Sequence, residues 1–184
     1  MRYRKGKITA IVIPPLQWSE IVSHCRRKLQ GEYLCGEGHS PKAFGLIGGT
    51  LSGEKLVAQL VIPLLKNARE CGEAKVAMDN AMEQHGTPSE TPFDQRGWVA
   101  EQEELDKALL MLSKSNLRLI GNYHMHRVAW EDDPVRDTPT KLDKVLGSGS
   151  RMFMFIVSMV NPEYPLVRAF YEGSKDIEVT VEIN

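Results

Sequence analysis

Cysteine is scarce in this chain: three among 184 residues, Cys25, Cys35 and Cys71, with no CxxC pair. So few, in odd number, exclude a disulfide framework and suit free thiols in a reducing cytoplasm, where they serve as small buried or half-buried apolar groups. Long apolar runs are also missing. The richest, MFMFIVSMV at 152–160, falls far short of a bilayer span, so no membrane segment is expected. The opening MRYRKGKITAIVIPPLQW is basic and then apolar. Pro14 and Pro15 break that run and no small-residue cleavage site follows, so it is not expected to be a signal peptide. No charge of one sign dominates: the formal net charge is -1, which points to neither nucleic acid nor an anionic membrane as partner. Internal repeats and low-complexity tracts are absent.

What remains is ordinary globular material. Hydrophobic residues make up 42% and charged residues 26%, and the length suits one domain, 1–184, with a sizeable core. KITAIVIP (7–14) is a β-branched run that ends at prolines and predicts a strand. In 16–32 Leu16, Ile21, Val22, Cys25 and Leu29 recur at helical spacing. AFGLIGGTLSGEKLVAQLVIPLL (43–65) predicts two strands joined around Gly48 to Gly53. Residues 66–97 have mixed polarity around GTPSETP and predict a mobile excursion, an insertion or lid at 70–97. A helix over 98–116 would carry a stripe of Trp98, Leu105, Leu109 and Leu112. LRLIGNYHMH (117–126) predicts a strand and TKLDKVLGSG (140–149) a short helix. Three more strands follow at 151–160, 165–173 and 176–183, the last an edge strand or arm. This pattern is α/β or α+β, and exposed strand edges would permit pairing.

The chemistry concentrates in GNYHMHRVAWEDDPVRDTPTKLD, residues 121–143. Side chains two apart on a strand face the same way, so His124 and His126 would aim both imidazoles at one point. Two neutral imidazoles and one carboxylate leave a tetrahedral zinc with one open position, where a bound water becomes acidic near neutral pH. An HxH pair alone is weak evidence, since nearby histidines are often plain surface or core residues. It gains weight from the strand before it, and from the Pro139-Thr140 that opens an apolar helix with an acid three residues on.

These residues resemble the JAMM/MPN family of zinc metallopeptidases, in its prokaryotic type. That family carries H-x-H followed by P-S-x-x-D; here stand H-M-H at 124–126 and P-T-K-L-D at 139–143. SPKAFGLIGGTLSG (40–53) is similar to the family's early hairpin, and the order helix, strand, motif, strand, strand matches across most of 7–172. The resemblance implies a mixed β-sheet flanked by helices, of cytidine-deaminase-like architecture. It implies one Zn²⁺ and hydrolysis of a peptide or isopeptide bond. The substrate would be a protein or peptide, such as the C-terminal tail of a ubiquitin-like or sulfur-carrier-like protein, bound as an added strand along a sheet edge. The sequence sets no oligomeric state.

Two positions depart from the family pattern. Counting by its common spacing puts the third ligand at Asp137; counting by residue type puts it at Asp143, on a helix that Thr140 would cap. We prefer Asp143, keep Asp137 as the alternative, and read Glu131, Asp132 and Asp133 as a solvated acidic loop. The resemblance gives Thr140 the oxyanion-stabilising place of the family's Ser. The family's general base is a Glu in E-x-x-G, where this chain reads K-A-F-G with Lys42. A carboxylate takes and returns a proton; an ammonium cannot, unless burial beside a cation deprotonates it. The base is then a neutral Lys42, or Glu37 or Glu32 from the neighbouring loop, or there is none and the protein binds zinc without cleaving. For both acids, as for His39, the plainer reading is an exposed loop residue.

Overall fold

The computed structural model describes residues 8–184, so the basic opening and the first residue of the predicted 7–14 strand lie outside it. Among the described residues seven strands close into a barrel. They are β1 (Ala10–Ile13), β2 (Phe44–Ser52), β3 (Lys55–Leu64), β4 (Arg118–His126), β5 (Phe153–Ser158), β6 (Leu166–Tyr171) and β7 (Glu178–Ile183). The order around the barrel is β1-β3-β2-β4-β5-β6-β7. β1 runs parallel to β3 and β7, and β4 parallel to β5; the other pairs are antiparallel. This corrects the expected open mixed sheet flanked by helices, of cytidine-deaminase-like α/β (α+β) type. The cause lies in 176–183: β7 pairs with β6 on one side and with β1 on the other, so it closes the sheet instead of forming an edge or arm. Each strand therefore has neighbours on both sides, and the anticipated edge for adding a substrate strand is corrected with it.

Four helices dress the barrel: α1 (Pro15–Gln30), α2 (Gly72–His85), α3 (Gln102–Lys114) and α4 (Lys141–Gly147). Pro15 begins α1, where a missing N–H costs nothing, and Gly31 ends it in the left-handed region at φ 73. Ile21 and Cys25 of α1 join Ile11, Ile47, Leu56 and Phe155 in the main core. α3 starts at Glu101, whose carboxylate caps the N–H groups of Glu103 and Glu104. Its buried face is Leu105, Ala108 and Leu112, packed on Leu46, Ile62 and Leu64. Leu109, expected in that stripe, is 40% exposed: the contact face runs through Ala108, and the next residue lies about 100° further round the helix. Trp98 precedes the helix and stacks on Phe44 at 6.0 Å.

The excursion at 66–97 is ordered around α2, which the polar composition hid. Met78 and Met82 of α2 pack on Leu142 of α4. Arg69, 1% exposed, ties the segment together: Nε donates to Arg96 O at 2.9 Å, and Nη2 to Asp79 Oδ1 and to Phe93 O. The predicted turn around Gly48 to Gly53 shrinks to Gly53-Glu54. Gly48 and Gly49 lie inside β2 at a register shift against β3, and Gly49 abuts the Val57 carbonyl with no room for a side chain.

Candidate metal centre

A bulge decides which way the histidines point. β4 pairs Leu119 with Gly48 and Gly121 with Ile47, which leaves Ile120 as the extra residue. Ile120 and Tyr123 consequently both reach the main core, though they are three apart. Asn122, His124 and His126 face the other way, into a chamber of about 510 Å³ between the barrel, α2 and α4. Gly121 permits the bend, because a side chain there would run into the Phe153 carbonyl and the Phe155 ring. Uninterrupted alternation from Ile120 would have carried the imidazoles into the barrel interior.

Asp143 reaches the same point from α4. Thr140 is the N-cap, and its Oγ accepts from the Asp143 N–H at 3.2 Å; Asp143 Oδ2 accepts from the Thr140 N–H at 2.6 Å and from its hydroxyl at 2.7 Å. This reciprocal box fixes the carboxylate one turn into the helix. Asp143 Oδ1 lies 3.6 Å from His124 Nε2, Oδ2 lies 4.0 Å from His126 Nε2, and the two Nε2 atoms are 3.1 Å apart. A tetrahedral zinc with bonds of about 2.0–2.1 Å holds its ligand atoms roughly 3.3–3.4 Å from one another, so the spacing suits such an ion. His126 Nδ1 donates to the Arg136 carbonyl at 3.0 Å, which leaves the Nε2 lone pair facing the cluster. Burial holds both imidazoles below the ordinary histidine range, hence neutral. The Asp143 carboxyl is held below its usual range against its burial, with the Thr140 N–H and hydroxyl both bonded to its charged form. Neutral imidazoles with an ionised carboxylate are the forms that bind a divalent cation.

The other sequence-predicted residues divide. Lys42 lines the chamber. Phe44 pairs with His124 across β2 and β4, the Met125 N–H donates to Ala43 O, and continuing that register by one more residue sets Lys42 opposite His126. Burial, then the charges of Arg69 and Arg127, pull its pKa down. The Thr140 hydroxyl is committed to Asp143, so it positions the carboxylate. Asp137 accepts from Arg168 Nη1 at 3.0 Å and lies outside the cluster. Asp133, expected in a solvated loop, instead accepts from the Arg136 N–H at 2.9 Å and the Thr138 hydroxyl at 2.7 Å, and so shapes the loop between ligands. His39 stacks on Tyr33 at 4.8 Å and Glu32 is exposed.

Glu37 goes elsewhere. Its buried carboxylate is clasped by the Arg27 guanidinium and the Leu34 N–H, with Lys28 Nζ at 3.3 Å. Beside them His24, neutral because burial takes its pKa to about 4, bonds the Tyr123 hydroxyl at 2.7 Å. Burial would raise the Glu37 carboxyl, but Arg27, Leu34 and Lys28 hold it at about 2. The unfolded value is 4.5, so its stabilisation is full above about pH 4.5 and is lost as pH falls through about 2. It amounts to something on the order of 3 kcal/mol. Urea midpoints of the wild type should drop more steeply across that window than those of Glu37→Gln; parallel curves would deny the clasp this weight.

Sequence reasoning missed Arg136, Trp130, Trp98 and Asn122, which share the chamber with the cluster. Arg136 was hidden among the acids of the loop, and only Asn122, two before His124 on one strand face, carried a readable sign. The chain matches no family model and no curated protein. Among solved structures it is similar to the solution structure of protein DSY2949 from Desulfitobacterium hafniense, a structural genomics target. Identity is 21% and the TM-score 0.61, over 95% of this chain and 92% of that one. That likeness is one of fold. No helix of the described residues is long and apolar enough to cross a membrane.

Proposed function

We propose that the protein is a single-zinc hydrolase of the JAMM metallopeptidase kind. It would act on a peptide or isopeptide bond at the C-terminal tail of a ubiquitin-like or sulfur-carrier-like protein, in the cytoplasm, where its three free thiols stay reduced. The observation that carries it is the convergence of His124 Nε2, His126 Nε2 and an Asp143 oxygen at the wall of the chamber. Bound there, zinc would supply a Lewis acid and an acidified water. The chain's own residues do the rest. Arg136 O fixes the tautomer of His126, Thr140 holds Asp143, and the apolar walls of Met78, Met82 and Leu142 exclude bulk water. This chemistry depends on the local cluster and not on an open sheet. The test is direct: protein prepared without chelator should carry about one zinc and should release product from a model isopeptide in a zinc-dependent way. Metal-free protein would sink the proposal.

A second reading, a zinc-binding recognition module without turnover, is favoured by one observation. Lys42 stands at the base position, and the acids among the described lining residues are the ligand Asp143 and Glu172. Zinc at full occupancy with no cleavage would decide for it.

A further inference from the structure

Six buried side-chain nitrogen or oxygen atoms have no hydrogen-bond partner among the described residues, and three of them belong to residues that line the chamber: Trp98 Nε1, Asn122 Oδ1 and Arg136 Nε. Such orphaned groups each cost free energy unless something supplies the missing partner. All three atoms are closed to solvent, so they mark a polar wall behind the chamber surface. Arg136 is the most telling. Its side chain is 8% exposed, its guanidinium lies 3.5 Å from the Trp130 ring centroid, and its one ion pair is a long contact of 3.4 Å to Asp133. Arg96 approaches the same ring at 5.7 Å. Lys42, Arg96, Arg127 and Arg136 face only Asp143 and Glu172 across the chamber, so the space favours an anion. A planar guanidinium fork matches a carboxylate.

We propose that the chamber binds a peptide chain end, with the terminal carboxylate on the outer nitrogens of the Arg136 guanidinium and an apolar last side chain against Met78 and Met82. A mid-chain segment offers no such anion. This deepens the proposed function and rests on its assignment of the chamber as the substrate site. The test uses calorimetric titration of the full chain, with zinc measured in every sample. The probes are N-acetylated alanyl-alanyl-leucine as the free acid and as the C-terminal amide. The acid should bind at least about tenfold more tightly than the amide, a gap that one charge-assisted pair can supply. Arg136→Gln should erase the gap by weakening the acid alone, and Arg136→Lys should restore it in part. If Arg136→Gln does not fold, Arg136→Lys, which keeps the charge and loses the planar fork, should still narrow the gap. Equal affinity of the wild type for both probes would overturn the proposal, as would an Arg136→Gln variant that loses both equally. Lack of zinc would remove the metal assignment, and the acid-to-amide ratio would still decide this one.

Discussion

Asp143→Ala should empty the metal site, and Asp137→Ala should leave about one zinc per chain. Mutating residues that only support a ligand costs roughly 10–100-fold in metal affinity, so loss of a ligand should exceed that. The two acids sit in different circumstances. Asp143 is on a helix frame, gripped by Thr140, with oxygens 3.6 and 4.0 Å from the imidazole nitrogens. Asp137 spends its carboxylate on Arg168, which also bonds Glu178, so its work is to hold the loop to the barrel. Asp143→Ala also breaks a capping box, a loss of about 1 kcal/mol. Asp143→Asn separates the effects, since an amide can still cap but is a poor zinc ligand. Dialysed protein assayed by metal analysis and thermal melting reads both. Zinc retained in Asp143→Ala and lost in Asp137→Ala would reverse the assignment.

The local part of this geometry was legible in the sequence. The helical spacing over 16–32 marks α1, and Pro139-Thr140 starts α4, because periodicity and caps act over a few residues. The imidazoles converge because adjacent positions on one strand face need no tertiary information. Closure of the barrel was not legible: it rests on β1 pairing with β7, a contact between chain ends that no periodicity encodes. The bulge at Ile120 was equally silent, although it turns the histidines out of the core. α2 was missed because its stabilisation comes from its own Met78 and Met82 packed against Leu142 of α4 and from a buried Arg69, not from an amphipathic stripe. Glu37 looked like a free loop acid until the fold brought Arg27 and Lys28 round it.

Lys42→Glu should raise hydrolysis by about 10²–10⁴-fold, the usual worth of a positioned general acid–base group. Lys42 is part-buried, lines the chamber, and falls opposite His126 on the continued β2–β4 register. Burial there disfavours any charge, yet Arg69 and Arg127, which push the ammonium toward neutrality, would favour a carboxylate at the same point. Glutamate therefore gains twice, by becoming a group that can accept and return a proton and by matching the field around it. Lys42→Gln separates the two gains. If it accelerates cleavage as much as glutamate does, the benefit came from removing a positive charge beside the metal ligands and not from a base. The assay compares wild type and both variants on one model isopeptide, at equal zinc content, with product counted by mass spectrometry. No gain in Lys42→Glu at full zinc would mean that the base position carried over from the resemblance does not hold in this barrel, and the non-cleaving module would stand as the better description.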